Sequence, residues 1–81
     1  MTITLRLFAI LRERAGVSQM TLDLPVGATV AGARDALIQL HPSLANLVGR
    51  VAFAVNQSYA PINTELHEGD EVGVIPPVSG G

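Results

Sequence analysis

A single amphipathic helical pattern, with alternating segments on both sides of it, constrains the fold of this sequence most. Its apolar residues recur at the spacing of one helix face: Val30, Ala33, Ala36, Leu37 and Leu40. Thr29 is a candidate N-cap, and Pro42 prevents the helix from continuing beyond His41. One helix of this kind can bury its apolar stripe only against another element, and the flanking segments predict that this element is a sheet.

Two alternating segments precede the helix. Thr2 to Phe8 is predicted to be a strand with Ile3, Leu5 and Leu7 facing the core, and Gln19 to Leu24 a strand that buries Met20, Leu22 and Leu24. The two strands are close enough in sequence to pair as a hairpin. Phe8 has the wrong parity for the core, so either a bend turns it inward or it is an exposed contact.

Two more strands follow the helix. Val51 to Val55 is predicted to bury Val51, Phe53 and Val55, and Glu71 to Ile75 is predicted to bury Val72 and Val74. The stretch between them, Asn56 to Glu68, shows no regular pattern. Two short helical turns are also predicted. They are Ala9 to Ala15, stopped by Gly16, and Ser43 to Val48, capped by Ser43 and stopped by Gly49.

This order of elements predicts an α+β fold in which a mixed sheet of about four strands carries one main helix on one face. We expect a domain over residues 1–75 and an extended, flexible C-terminal tail over residues 76–81. If the last strand lies beside the first, Phe8 and Ile75 share an apolar patch on the uncovered face. The alternative is that both side chains bend into the core.

Composition limits the classes of function. The chain has 81 residues and no cysteine, which predicts one domain held by hydrophobic packing and excludes thiolate chemistry. Its net charge of −2 and lack of any basic run argue against binding nucleic acid. No apolar run is long enough to span a membrane and no signal peptide is evident, so we expect a cytoplasmic protein without membrane contact. All five basic residues are arginines. The absence of lysine has two interpretations: it protects an activated C-terminus from attack by the chain's own amines, or it is a chance result.

No catalytic constellation is visible in the sequence. His41 and His67, the two histidines, lack ligand spacing, so a metal site is not expected. The acids between Glu65 and Glu71 are typical of a solvated turn. Neither a phosphate-binding glycine loop nor a nucleophile elbow is present.

The C-terminal stretch from Pro76 to Gly81 is the candidate reactive element. Its sequence is Pro76-Pro77-Val78-Ser79-Gly80-Gly81. Two prolines favour an extended course, and a carboxylate on glycine has no Cβ beside it, so a partner can enclose it in a narrow channel. The stretch can reach about 20 Å at roughly 3.3 Å per residue. The alternative is an ordinary frayed end.

Four groups of residues carry a resemblance to a known family over the whole chain. They are Leu7-Phe8-Ala9 with Leu11-Arg12-Glu13, Val55-Asn56-Gln57, Leu66-His67-Glu68-Gly69-Asp70-Glu71-Val72, and the tail from Pro76 to Gly81. In these residues the sequence resembles the small, sulfur-carrier subunit of molybdopterin synthase. The resemblance implies a ubiquitin-like β-grasp fold.

The resemblance also implies a chemistry for Gly81. A ubiquitin-activating-type adenylyltransferase would use ATP to form glycyl-AMP at this residue, and a sulfur donor protein would convert it to a thiocarboxylate. Inserted into the large catalytic subunit, in an assembly expected to be a heterotetramer, the thiocarboxylate would donate sulfur to cyclic pyranopterin monophosphate. The small subunit itself would bind no cofactor. Gly80 would thread the channel with Gly81, the segment from Pro76 to Ser79 would contact the partner, and the apolar contacts would be Phe8, Tyr59 and Ile75.

Other functions remain open at this point. Sulfur carriers for thiamin or cysteine synthesis also end in Gly-Gly, although the two prolines favour the molybdopterin family. From different classes, the chain could be a ubiquitin-like modifier joined to lysines of other proteins, or an interaction domain that does not need Gly80 and Gly81.

Overall fold

The computed structural model describes residues 1–77, which form five strands, three α-helices and one 3₁₀ turn. The strands are β1 (Thr2–Leu7), β2 (Gln19–Asp23), β3 (Ala52–Val55), β4 (Ser58–Tyr59) and β5 (Glu71–Ile75). The helices are α1 (Ile10–Ala15), α2 (Val30–Leu40) and α3 (Ala45–Val48), and the 3₁₀ turn spans Pro42–Leu44. None of these helices combines the length and the apolar character needed to cross a membrane.

The strands form one mixed sheet in the order β2-β1-β5-β3-β4. β1 and β5 are parallel neighbours at the centre, with Leu5 paired to Val72, and the other neighbouring pairs are antiparallel. The predicted α+β fold is therefore confirmed, and because the last strand lies beside the first, the condition stated for a shared patch of Phe8 and Ile75 is met. The sheet has five strands instead of about four because β4, inside the stretch predicted to be irregular, has only two residues and is too short to show alternation.

The core lies between one face of the sheet and α2. The side chains predicted to point inward from β1, β5 and most of α2 are at most 2% exposed: Ile3, Leu5, Leu7, Val72, Val74, Val30, Ala33 and Leu37. Met20, Val51 and Val55, also predicted to be buried, are half-buried against this core. The prediction for Leu40 is wrong, since this residue is 58% exposed. The chain turns directly after His41, and Leu44 in the 3₁₀ turn is fully buried instead.

Backbone carbonyls, not the predicted Thr29 side-chain cap, satisfy the start of α2. Thr29 occupies the N-cap position but its side chain makes no capping hydrogen bond. The free N–H groups of Val30 and Ala31 donate instead to the carbonyls of Thr64 (3.0 Å) and Ile62 (2.9 Å). Ser43 lies inside the 3₁₀ turn and caps no helix, whereas Gly16 ends α1 in the predicted left-handed conformation, with φ 80°.

Candidate docking surface at the root of the C-terminal segment

Phe8 remains on the open face of the sheet. β1 ends at Leu7, and the sharp change of direction comes at Ala9, whose φ of 52° and ψ of −127° are unusual for a residue with a Cβ. The bend therefore lies one residue too late to turn Phe8 inward, and its ring is 39% exposed. Of the two predicted alternatives for Phe8, the structure shows the exposed position, and its role as a contact stays a prediction.

A shallow groove, which we call the sheet groove, crosses the open face and has a volume of about 290 Å³. It is lined by Arg6, Phe8, Ala54, Gln57, Tyr59, Glu71, Gly73 and Ile75. Its floor is low because Ala54 and Gly73, which face each other across β3 and β5, have small or no side chains. A Cβ on Gly73 would lie 3.4 Å from Cε2 of Phe8, so the Phe8 ring rests directly on this strand.

Arg6 lies between the apolar and acidic parts of the sheet groove. Its guanidinium carbon is 5.8 Å from the centroid of the Phe8 ring, and Nη1 is 3.6 Å from Oε1 of Glu71. Both side chains of the ion pair are exposed, so the pair contributes at most about 1 kcal/mol to stability. The ion pair instead fixes the position of the Arg6 guanidinium, which covers one side of the Phe8 ring.

A second groove lies where the chain leaves β5, and we call it the tail-root groove. It has a volume of about 250 Å³ and is lined by Ile10, Asn46, Leu47, Arg50, Pro76 and Pro77. Pro76 is half-buried and Pro77 is exposed. Val78, Ser79, Gly80 and Gly81, predicted to carry the partner contacts and the chemistry, lie outside the described residues.

Three of the predicted contact residues thus come together, because Phe8, Tyr59 and Ile75 line one groove. Sequence reasoning missed Arg6, Ala54 and Gly73, although strand parity places the first two on the open face and a glycine inside a strand indicates close approach by another group. It also missed the tail-root residues Ile10, Leu47 and Arg50. No sequence pattern joins these three, since they meet only through the packing of α1 and α3 around the end of β5.

Among the acids between Glu65 and Glu71, Asp70 has a structural role, because it holds a turn in place through hydrogen bonds. Asp70 accepts hydrogen bonds from the side-chain amide of Asn56 (3.0 Å) and from the backbone N–H of His67 (2.7 Å). These bonds hold the pKa of Asp70 below its usual value, with the Asn56 amide as the larger cause. Asn56 in turn accepts from the backbone N–H of Glu71 at 3.0 Å, so the two side chains join the β3–β4 turn to the start of β5.

Replacing Asp70 by Asn is expected to lower the free energy of unfolding at neutral pH by about 1 to 3 kcal/mol, since charge-assisted hydrogen bonds are lost. Because the folded-state pKa lies below the unfolded value, this stabilisation is present above about pH 4 and disappears as the pH falls through the folded-state pKa. Urea unfolding of both proteins between neutral pH and pH 2.5 measures the difference. The stability gap should close in acid.

Asp35→Asn is the matched control, because this carboxylate is 66% exposed on α2 and its ion-pair partner, Arg34, is a sequence neighbour. We expect it to change stability by less than about 0.5 kcal/mol. A stability gap for Asp70→Asn that persists unchanged to pH 2.5 would contradict the role assigned to the Asp70 carboxylate.

The described residues contain no arrangement that suggests a metal centre. Within residues 1–77 no three histidine, aspartate or glutamate side chains lie close enough together to hold a metal ion. His67 faces Glu65 and Asp70, with nitrogen–oxygen distances of 3.7 and 3.9 Å, on an exposed turn. The two grooves near the end of β5 are the candidate functional surface, because they hold the exposed side chains of Phe8 and Tyr59 and the start of the C-terminal segment.

Comparison with known proteins identifies the family. Residues 5–81 match the sequence pattern of the ThiS family. A molybdopterin synthase sulfur carrier subunit from Chlamydomonas reinhardtii is 42% identical over 83 residues, with all of both chains covered.

Solved structures agree with this assignment. The crystal structure of SAMP1 from Haloferax volcanii has a TM-score of 0.91 at 34% identity, and a chain in the complex of subunits 1 and 2 of the molybdopterin-converting factor from Helicobacter pylori has a TM-score of 0.73 at 27% identity. Both comparisons cover 100% of each chain. The chain is therefore a ubiquitin-like β-grasp protein of the ThiS family, and within it belongs with the molybdopterin synthase sulfur carrier subunits.

Proposed function

We propose that this protein is the sulfur-carrier subunit of a molybdopterin synthase and acts in molybdenum cofactor biosynthesis. The observation that carries the proposal is the end-to-end match to the sulfur carrier subunit from Chlamydomonas reinhardtii, together with a family match that includes Gly80 and Gly81. The described residues fit a carrier, because two grooves lie near the end of β5, where the C-terminal segment begins.

The proposed chemistry takes place on the carboxylate of Gly81. Carboxylates are poor electrophiles, so an activating partner first uses ATP to form glycyl-AMP, and pyrophosphate leaves. Hydrosulfide supplied by the donor protein then attacks the glycyl carbon, the carbon–oxygen bond to AMP breaks, and the proton on sulfur is lost to solvent. The resulting thiocarboxylate is a nucleophile at neutral pH. ATP is consumed by the partner, and this chain binds no cofactor.

The sulfur acceptor is proposed to be cyclic pyranopterin monophosphate, held by a large catalytic subunit. Two transfers would supply the two sulfur atoms of the molybdopterin dithiolene, and hydrolysis would return Gly81 to a carboxylate. The Helicobacter pylori relative, solved as a complex of subunits 1 and 2, supports a partner of this kind. We propose that this chain and the large subunit form a cytoplasmic heterotetramer.

The sheet groove would orient the tail toward that partner. Ile75 lines the groove and is also the last residue of β5, so the segment from Pro76 onward leaves from its edge. A partner that buries Phe8, Tyr59 and Ile75 would therefore have the tail beside it. Because docking of the domain fixes where the tail begins, less entropy is lost when Gly81 is placed in the partner's site.

Intact mass spectrometry tests the proposal. The protein is incubated with ATP, its cognate adenylyltransferase and a sulfur donor, and we expect a species in which one oxygen of the Gly81 carboxylate is replaced by sulfur. Addition of the large subunit and cyclic pyranopterin monophosphate should consume this species and form molybdopterin. A competent activating partner that yields no thiocarboxylate would overturn the proposal.

A second candidate is a ubiquitin-like modifier. It is favoured by the likeness to small archaeal modifier protein 1 of Haloferax volcanii, which is 36% identical over 84 residues, and whose crystal structure matches at the TM-score given above. In this case Gly81 would be recovered in isopeptide linkage to lysines of other proteins. Peptide mapping of conjugates from cells that express a tagged chain distinguishes the two functions, since a carrier alone forms no such linkage.

A further inference from the structure

The charged side chains of this domain are segregated along the axis of the central strands. The acidic end gathers around Thr2, where β1 begins, and consists of Asp23, Glu65, Glu68, Asp70 and Glu71. Thr2 donates from its backbone N–H to Glu68 (2.9 Å) and from its hydroxyl to Asp23 (2.8 Å). Most of the acids are thus held at the end of the sheet opposite to the C-terminal segment.

The other end is basic, and we call Arg12, Arg14 and Arg50 the basic end. α1 follows the end of β1, and Ile10 at its start lines the tail-root groove together with Arg50. Arg14 lies four residues after Ile10 and so shares its helix face. A strand of six residues spans about 17 to 20 Å, which is the approximate separation of the two ends.

The arginines of the basic end are available to a partner. All three are exposed, and none forms an ion pair with a group in residues 1–77, whereas Arg6 and Arg34 are paired with Glu71 and Asp35. Glu13 is the one acid on α1 and lies between Arg12 and Arg14 in sequence. An overall net charge of −2 therefore conceals a positive surface where the C-terminal segment leaves the domain.

We propose that the basic end is an electrostatic docking site for a carboxylate-rich surface that borders the tail-receiving channel of the large synthase subunit. Arg50 and Arg14 pair with the partner's carboxylates, and the apolar wall of Ile10, Leu47 and Pro76 receives an apolar side chain between them. The inference rests on the proposed function. The inference adds a contact surface separate from the sheet groove. The task of this surface is to orient the domain, because the opposite charges of the two ends turn it tail-first as it approaches the partner.

Stopped-flow association with a fluorophore-labelled cognate large subunit tests this docking site. The double variant Arg14→Glu/Arg50→Glu should associate about tenfold more slowly than wild type at low ionic strength. The difference should vanish at high salt, because the screening length falls from about 30 Å at 0.01 M to about 3 Å at 1 M. The matched control is the charge reversal Arg34→Glu on α2, which lines neither groove, and it should slow association less than twofold.

Thermal unfolding followed by circular dichroism checks that each variant folds, as is expected for exposed arginines. The double variant changes the net charge by −4 and Arg34→Glu by −2, so the same slowing per reversed charge in both would assign the effect to net charge and overturn the docking site. An association rate of the double variant equal to that of wild type would also overturn the docking site. So would a double variant that associates more slowly with the adenylyltransferase but at the wild-type rate with the large subunit. In each of these cases the proposed function would be unaffected, because it is tested by thiocarboxylate formation and sulfur transfer with the wild-type chain. If the wild-type protein forms no complex with the large subunit, both the docking site and the proposed function are overturned.

Discussion

Deletion of Gly80 and Gly81 is expected to abolish molybdopterin formation while leaving the domain folded. The chemistry proposed for this protein takes place on the terminal carboxylate, and a chain that ends at Ser79 is shorter by about 7 Å at roughly 3.3 Å per residue and has a Cβ at its end. Because interactions at a reacting centre tolerate displacements of only about 1 Å, the shortened chain cannot place its carboxylate in the same site. Reconstituted synthase assays should give no product above background.

The deletion must be compared with a variant that keeps the length of the tail. Ser79→Ala retains Gly80 and Gly81 and is expected to keep most of the activity. The unfolding free energy of the truncated protein should equal that of wild type, because the core residues found within residues 1–77 all lie between Ile3 and Val74. A truncated chain that still supports product formation would show that the domain acts by binding alone and would remove the basis of the sulfur-carrier proposal.

Replacement of Phe8 by alanine is expected to weaken binding to the large subunit by about 30-fold or more. Phe8 has the features of an interface hot spot, since its ring is 39% exposed, rests on Gly73 and is partly covered by Arg6. Truncation of such an aromatic anchor typically costs about 2 kcal/mol or more of binding energy, and each 1.4 kcal/mol is about tenfold in affinity. Isothermal titration calorimetry with the cognate large subunit measures the change.

Leu40→Ala provides the matched control for Phe8→Ala. Leu40 is 58% exposed at the end of α2, lines neither groove, and loses a comparable apolar side chain. Its variant should bind the large subunit within about twofold of wild type, which corresponds to less than about 0.5 kcal/mol. Equal affinities for the two variants would mean that the partner docks elsewhere and that the sheet groove does not orient the tail.

The two binding surfaces can be separated experimentally. Loss of Phe8 removes buried contact area, which mainly increases the dissociation rate, whereas charge reversal at the basic end mainly decreases the association rate. Rate constants measured for both sets of variants therefore distinguish a single continuous interface from an apolar anchor with an electrostatic guide. Combining Phe8→Ala with Arg50→Glu should give additive changes in free energy if the grooves act independently.

The sequence alone determined the elements with a strong pattern. Period-2 alternation located β1 and β5, helical spacing located α2, and Gly16 ended α1 as expected, since a glycine can take positive φ. The same alternation placed Phe8 and Ile75 on the open face, because successive side chains of a strand point to opposite sides. The candidate chemistry of Gly81 was implied by the family resemblance of the sequence and stays a prediction.

Only the tertiary structure decided how these elements combine into a surface. β4 is too short to show a period, and Leu40 fits the helical stripe but is exposed because the chain turns after His41 and buries Leu44. The tail-root groove and the segregation of the arginines from the acids depend on residues far apart in sequence, such as Ile10, Arg50 and Pro76. Such groups meet because the parallel pairing of β1 and β5 puts the C-terminal ends of both strands at the same end of the sheet. Local sequence patterns carry no information about that long-range pairing.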